Sequence, residues 1–279
     1  MTEVLRELKR RGQPIVMVTA YDYNSAVACE VGGADVVLVG DSAAMTMLGY
    51  ASTRLVSLDE MLMLTRAARR GLKRALLVGD LPYGTYEASN ELALATARRF
   101  IEAGCDAVKL EGGREDRVAR VHALTSAGIT VMGHVGLTPQ STGLGEAFRV
   151  QGKTASQALD VLREAKALEA AGVFAIVFEA IPGEVTELLM PYIEAPVIGI
   201  GAGLATDGQV LVFDDLVGLT AGKPAKFVKR YAEVREQMAN AVQSYADEVR
   251  AKQFPTVSNA YAVNAAEVDS LRAQLSSRV

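Results

Sequence analysis

Residues 34–42 read Ala-Asp-Val-Val-Leu-Val-Gly-Asp-Ser, and how this stretch is read decides the fold. Val36 to Val39 form an unbroken apolar run, followed by a glycine, an acid and a hydroxyl. An apolar run without alternation is the pattern of a parallel strand covered on both faces. A carboxylate at the end of such a strand costs free energy unless it is paired or binds something. The arrangement returns along the chain: ALLVGD ends at Asp80, AVKLEG carries Lys109 and Glu111, TVMGHVG carries His134, and AIVFEA carries Glu179.

Working outward, the residues before the strands also repeat. EVGGADVVLVGD, IEAGCDAVKLEG, TSAGITVMGHVG and EAAGVFAIVFEA each end a helix, place a glycine, and begin an apolar strand. Glycine takes the left-handed conformation that follows a helix C-terminus. Helix starts carry capping boxes at Ser57–Glu60 and Thr154–Gln157. Strands are expected near 14–20, 36–40, 75–80, 107–111, 130–135, 175–179, 197–201 and 209–213. Eight strand–helix units in about 250 residues are the size of an α/β (β/α)8 TIM barrel. The rival, a doubly wound open sheet, needs a glycine-rich turn after its first strand, and VMVTAYDYNSA has none. A helix at 2–11 stands outside the repeat, placed to plug the bottom of the barrel. The expected organisation is one barrel domain over 1–255 and an extension over 256–279, with a short helix near 264–276.

The bulk composition narrows the function. The chain has 279 residues, half of them hydrophobic, with a net charge of −4 and no long basic run. That argues against a nucleic-acid or anionic-membrane partner. Two cysteines, Cys29 and Cys105, exclude a disulfide scaffold and suit a reducing cytoplasm. The first residues lack the apolar core of a signal peptide, and no apolar run reaches membrane-spanning length.

Barrel active sites lie at the C-terminal ends of the strands. Asp41, Ser42, Asp80, Lys109, Glu111, His134 and Glu179 all fall there, so a barrel gathers them on one rim. Lys109 and Glu111 are two apart and share a face, while Val108 and Leu110 suit the helix-covered exterior. The lysine and glutamate should therefore face the barrel axis. Three carboxylates, Asp41, Asp80 and Glu111, cannot all stay ionised in a low-dielectric pocket without a cation. Their oxygens suit Mg2+ better than Zn2+. With two histidines and two cysteines in the chain, a zinc site of three histidines or of several cysteines cannot be built.

Each residue has a plainer reading. Asp41, Asp80 and Glu179 are also apt helix caps, Lys109 a structural partner of Glu111, and His134 a hydrogen-bonded core histidine. His122, in mid-helix, reads as structural, and Met45, Met47, Met61 and Met63 read as packing. GIGAGLATDGQ at 199–209 fits either a phosphate-binding turn or a tight turn with close backbone approach. Glu179, between Phe178 and Ile181-Pro182, is a candidate general base whose pKa apolar neighbours would raise.

TAYDYNSA, VLVGDS, GDLPY, VKLEGG, GHVGLTPQS, VQGKT, LEAAG, FEAIP, PVIGIGAG and TDGQVLV stand in this order between about residue 13 and 255. Together they resemble the ketopantoate hydroxymethyltransferase family. The resemblance implies a barrel of the phosphoenolpyruvate/pyruvate type in the pantothenate pathway. Such an enzyme transfers a hydroxymethyl group from 5,10-methylenetetrahydrofolate to 3-methyl-2-oxobutanoate, giving 2-dehydropantoate. By motif, Asp41, Asp80 and Glu111 would belong to a Mg2+ site. Asp41, Ser42, Asp80 and Lys109 would contact the keto acid, and Glu179 would be the proton acceptor; His134, from its place on the rim, would orient the substrate or assist proton movement. A homo-oligomer, expected to be a decamer, and a cytoplasmic location go with the resemblance. The chain departs from the family at Gly49-Tyr50-Ala51-Ser52-Thr53, at Phe213-Asp214-Asp215, at the loop 141–149 and in its longer tail. The loop 137–153 is rich in glycine and polar residues, as suits a segment that closes over a site. The alternatives are a Mg2+-dependent lyase or mutase of the same barrel group, a non-catalytic binding barrel, and a Schiff-base aldolase built on Lys109. Such lyases usually need a reactive cysteine in a mobile loop, and neither Cys29 nor Cys105 lies in one.

Overall fold

In the computed structural model, which describes residues 2–141 and 149–278, eight parallel strands close into a barrel in the order β1 to β8. The strands are β1 (Ile15–Thr19), β2 (Val36–Val39), β3 (Leu76–Asp80), β4 (Ala107–Lys109), β5 (Val131–Gly136), β6 (Ala175–Glu179), β7 (Val197–Ile200) and β8 (Gly208–Leu211). Each lies where its apolar run predicts it, and β8 pairs back onto β1 through Met17 and Val210. The helices are α1 (Thr2–Arg10), α2 (Tyr23–Val31), α3 (Ala43–Thr46), α4 (Leu58–Gly71), α5 (Asn90–Glu102), α6 (Glu115–Ser126), α7 (Ala155–Ala170), α8 (Gly183–Leu189), α9 (Phe213–Leu216), α10 (Val234–Arg250) and α11 (Ala265–Ser276).

The repeated glycines do the same work at four helix ends. In each case the residue after the glycine donates to the carbonyl five positions back: Ala34 to Cys29, Cys105 to Phe100, Ile129 to Leu124 and Val173 to Leu168. This is the bond that closes a Schellman motif and turns the chain into the next strand. At Gly104 (φ 105°) a Cβ would also lie 2.6 Å from Arg69 Cγ, so the turn and the packing both require glycine. Ser57 and Glu60 form the expected reciprocal capping box. Thr154 accepts from Gln157 N, but the Gln157 side chain accepts from Lys153 N instead of the cap residue, so that box is only half closed. A further box, Asp22 with Ser25, starts α2; serine in place of Glu or Gln at its third position hid it from the sequence pattern.

Side-chain alternation divides the core into two layers. Val37, Val39, Leu77, Val108, Val131, Ile176, Phe178 and Val197 pack outward with the helices. Ile15, Met17, Val36, Leu38, Leu76, Val78, Ala107, Met132, Ala175, Val177, Ile198 and Val210 fill the barrel interior. Leu5 of α1 joins that inner group and is 2% exposed, so the N-terminal helix does plug the bottom. Lys9 fastens it there, donating to the carbonyls of Ile193 and Ala195 and pairing with Asp207 at 3.0 Å. Of the four methionines read as packing, only Met61 is buried; Met45, Met47 and Met63 are exposed, because they fall off the apolar faces of their segments.

The contacts of the barrel close at Ala232, and residues 233–279 form a second compact unit. The boundary expected at 255 lies inside that unit, which takes in α10 and α11. Phe254 stands edge-on to Tyr245 at 5.5 Å, and Met238, Val242, Tyr245 and Val249 of α10 are exposed. Among the described residues no helix is long and apolar enough to cross a membrane.

Candidate active site

Register brings the polar residues together. β3 pairs with β4 so that Asp80 stands directly beside Lys109, both on the inward face. Their side chains meet at 2.7 Å and are 2% and 4% exposed. Lys109 therefore pairs with Asp80 and not with Glu111, the partner expected in its plainer reading. Beyond the strand end, Leu81 N donates to Lys109 O and Gly112 N to His134 O, so the ladder continues through Glu111. Asp41, Asp80, Lys109, Glu111 and His134 are all buried.

The capping alternatives fall away on geometry. Ser89 caps α5, the helix after Asp80. The helix after Glu179 starts at Pro182 without a side-chain cap bond. Asp41 Oδ2 accepts from the Gln140 amide, and Asp41 N donates to Asp80 Oδ2 at 3.2 Å. Ser42 shares a 2.8 Å hydrogen bond with the Tyr21 hydroxyl, which also accepts from Thr19 Oγ1.

Across the rim, His134 Nε2 lies 3.2 Å from Glu179 Oε2, and His134 Nδ1 lies 3.7 Å from Glu111 Oε1. The Glu179 side chain is 17% exposed, more open than the rest of the set. Ala180, the next residue, has φ 50°, an uncommon value for a residue with a Cβ. It is held there by Ala180 N donating to Ile200 O and Gln151 N donating to Ala180 O.

The electrostatics of the set are unbalanced. Burial pushes the Asp80 carboxyl up; Lys109 opposes this and Asp41 adds to it, and the net direction is upward. Burial also raises Glu111 well above the usual carboxylate range, helped by the charge of Asp41. Burial alone would lower Lys109, but Asp80, Glu111 and Asp41 outweigh it and raise the ammonium's pKa. His134 is lowered, by burial first and by Lys109 second, which leaves a neutral imidazole at pH 7. Three acids thus share one ammonium.

That excess of buried carboxylate is the donor chemistry of a hard divalent cation. Among the described residues no three His, Cys, Asp or Glu side chains already stand as a metal cage. The Gln140 amide and the Lys109 ammonium occupy part of the space between the acids. The set fits a cation such as Mg2+, which takes one or two carboxylates and completes its shell with water and substrate oxygens.

Two residues outside the expected set are central. Gln140, on the turn Pro139–Ser141, is 2% exposed and touches Asp41, Glu111, Leu81 and Tyr86. Tyr86, 1% exposed, donates to Gln140 Oε1 at 2.6 Å. Both sit in loops with no periodicity, and the one available signal was their place inside GHVGLTPQS and just past GDLPY.

The remaining expected residues lie elsewhere. His122 is exposed on α6, apart from the rim. The turn at 199–209 is folded on itself: a Cβ on Gly203 (φ 79°) would stand 2.6 Å from Gly183 Cα, and Gln209 Nε2 bonds Gly203 O. That is the close-approach alternative. Of the departures from the family pattern, Tyr50 donates to Glu60 and Ser52 accepts from Arg54 N. Asp214 is buried, and burial raises its carboxyl, with Asp215 and Asp22 adding to the shift. Most of the loop 141–149, and with it the middle of the proposed closing segment 137–153, lies outside the described residues. Both cysteines are buried.

The family model for ketopantoate hydroxymethyltransferase matches residues 1–257. A 3-methyl-2-oxobutanoate hydroxymethyltransferase from Thermobifida fusca is 49% identical over 259 residues, covering 92% of each chain. One from Shouchella clausii is 46% identical, covering 94% of each. The mitochondrial protein of that name from Arabidopsis thaliana is 47% identical over 97% of this chain and 80% of its own length. Among solved structures, a phosphoenolpyruvate phosphomutase from Streptomyces platensis has a TM-score of 0.60 at 15% identity, covering 99% of this chain and 96% of its own. A phosphonopyruvate hydrolase solved with oxalate and Mg2+ has a TM-score of 0.61 at 14% identity, covering 99% and 96%. At that identity the structures show a shared barrel fold.

Proposed function

The chain belongs to the ketopantoate hydroxymethyltransferase family, and from that premise we propose which rim residue does which part of the chemistry. It is a one-carbon transferase that moves a hydroxymethyl group onto 3-methyl-2-oxobutanoate, giving 2-dehydropantoate. The mutase and hydrolase likenesses concern the fold alone. The proposed donor is 5,10-methylenetetrahydrofolate.

The reaction breaks the C3–H bond of the keto acid and uses its electron pair to form a bond to the donor's methylene carbon; both bonds from that carbon to the folate nitrogens break, water supplies the hydroxyl, and tetrahydrofolate leaves with the protons. Glu179 is the proposed base: it is more open than the other rim acids and abuts a neutral histidine. His134 Nε2, 3.2 Å from Glu179 Oε2, is near enough for the imidazole to orient the carboxylate once the site is filled, and it need not give up a proton. Lys109, anchored by Asp80, puts a fixed positive charge where negative charge grows on the keto oxygen. Ser42, oriented by Tyr21, offers a hydroxyl to the substrate carboxylate. One or two of the acids Asp41, Asp80 and Glu111 would hold Mg2+ directly, with water and substrate oxygens completing its shell, and the ion when bound would supply Lewis-acid stabilisation of the charge on the keto oxygen. A cytoplasmic homo-oligomer, expected to be a decamer, completes the proposal, and analytical ultracentrifugation reads its size.

The observation that carries this assignment is the separation of roles across the rim: a buried Lys109–Asp80 pair on one side and His134–Glu179 on the other. The test is exchange of the C3 proton of 3-methyl-2-oxobutanoate into deuterated water, with Mg2+ and without folate, followed by NMR. Exchange is expected in the wild type and lost in Glu179→Gln. Wild-type exchange in that variant would reassign the base to His134.

A further inference from the structure

Gln140 makes four hydrogen bonds from a buried position. Its Nε2 donates to Asp41 Oδ2 and to Leu81 O, each at 3.0 Å. Its Oε1 accepts from the Tyr86 hydroxyl at 2.6 Å, and its backbone N donates to Glu111 Oε2 at 3.0 Å. The direction of the amide is not free. Asp41 Oδ2 and Leu81 O are acceptors, so the nitrogen must face them, and the oxygen is left for the one partner that can donate. Every polar atom of the side chain is used, as a buried amide requires.

The acids Gln140 joins come from loops far apart in sequence, after β2 and after β4. It takes one oxygen of Asp41 and one of Glu111, and adds no charge of its own. A lysine there would compete with a cation, and an acid would add to a repulsion already present. The neutral side-chain amide satisfies Asp41 and the backbone N–H of the same residue satisfies Glu111, so one residue ties an oxygen of each acid to a single point.

We propose that Gln140, fixed by Tyr86, is a positioning residue that sets Asp41 and Glu111 in the relative orientation at which they hold a divalent cation and the keto acid. This rests on the reading of Asp41 and Glu111 as cation ligands. Residues that orient ligands from behind typically change metal affinity or activity by about 10–100-fold when altered.

The test uses the full-length protein, with Mn2+ as a paramagnetic probe and affinity read by EPR. Gln140→Leu keeps the volume and removes the side-chain amide with its bonds to Asp41, Leu81 and Tyr86, while the backbone donor to Glu111 stays. It is expected to weaken Mn2+ binding by about 10–100-fold and to raise the KM for the keto acid, while far-UV circular dichroism stays that of the wild type. Tyr86→Phe removes only the hydroxyl that directs the amide and is expected to change both in the same direction by less. A residue that only supports the fold would shift the melting temperature and leave the Mn2+ constant of the folded protein unchanged. Wild-type Mn2+ affinity in both folded variants overturns the proposal; if Gln140→Leu does not fold, Tyr86→Phe decides alone. Failure of the wild type itself to bind Mn2+ would overturn the cation reading and this inference with it.

Discussion

At the scale of single residues, Lys109 shows how burial and pairing divide the work. Its ammonium is kept charged by acids that are themselves strained by burial. Lys109→Met leaves Asp80 buried without its partner, an arrangement that costs about 3–5 kcal/mol when one side of a buried pair is removed. The expected outcome is a lower unfolding midpoint in urea together with weaker keto-acid binding by calorimetry. Borohydride in the presence of substrate should trap nothing on the wild-type lysine, because the proposed role is charge alone; an adduct seen by mass spectrometry would point to the aldolase reading. Glu179→Gln has a different signature. The proposed base is lost and the shape kept, so kcat should fall by about two to four orders of magnitude while substrate still binds. Lys109 and Glu179 are visible in sequence because a charge at the end of an apolar strand is improbable on its own. Gln140 is not: a glutamine in a loop looks the same whether it faces water or joins two carboxylates.

At the scale of elements, the ends of the barrel behave differently. The bottom carries structural polar contacts, and the top carries the candidate chemistry. Leu5→Ala tests the plug. It removes a side chain that is 2% exposed from the inner layer, and a loss of about 2–5 kcal/mol in urea unfolding is expected. The rim lies at the opposite end of the strands, so kcat below the melting transition should stay near the wild-type value. Glu30, at the end of α2, accepts from Arg74 N, Arg74 Nε and Ala75 N in the loop just before β3. Burial alone would raise its carboxyl, but the bonds from Ala75 and Arg74 outweigh that and hold it down at about 2. A group depressed on folding stabilises the protein above its ordinary pKa of 4.5 and stops doing so as pH falls through the folded value. Urea midpoints of the wild type should therefore decline between pH 4.5 and 2 through this group, and Glu30→Gln should flatten that part of the profile. An unchanged acid limb in the variant would show that Glu30 does not contribute. The Glu30 contact is not legible in periodicity, since it joins a helix end to a loop more than 40 positions away.

At the scale of the whole molecule, closure of the sheet turns separate strand ends into one site. β1 and β8 pair across nearly two hundred positions, and that closure sets Asp41, Asp80, Glu111, His134 and Glu179 around one mouth. A cation bound only by the folded rim must stabilise the fold by linkage. Mg2+ at 100 times its dissociation constant should add about 2.7 kcal/mol, read as a rise in melting temperature that EDTA reverses. Asp41→Ala should remove the rise without removing the cooperative transition. A melting temperature indifferent to Mg2+ in the wild type would count against the cation site.

The family came from the resemblance of the ordered motifs. Sequence alone also determined the barrel, the placement of its eight strands and the N-terminal plug by a different route. Barrel, strands and plug are legible because they follow from local physics: apolar runs mark buried strands, and glycine marks helix ends. The division of strand positions into inner and outer faces was also legible, because alternation of side chains is a property of the strand itself. Tertiary structure alone decided the partners: Asp80 for Lys109, Glu179 for His134, and Gln140 between Asp41 and Glu111. It also decided that the barrel's contacts end at Ala232 instead of near 255. Pairing depends on strand register and on where loops return, and those are set by closure of the whole sheet and by no stretch of sequence short enough to read.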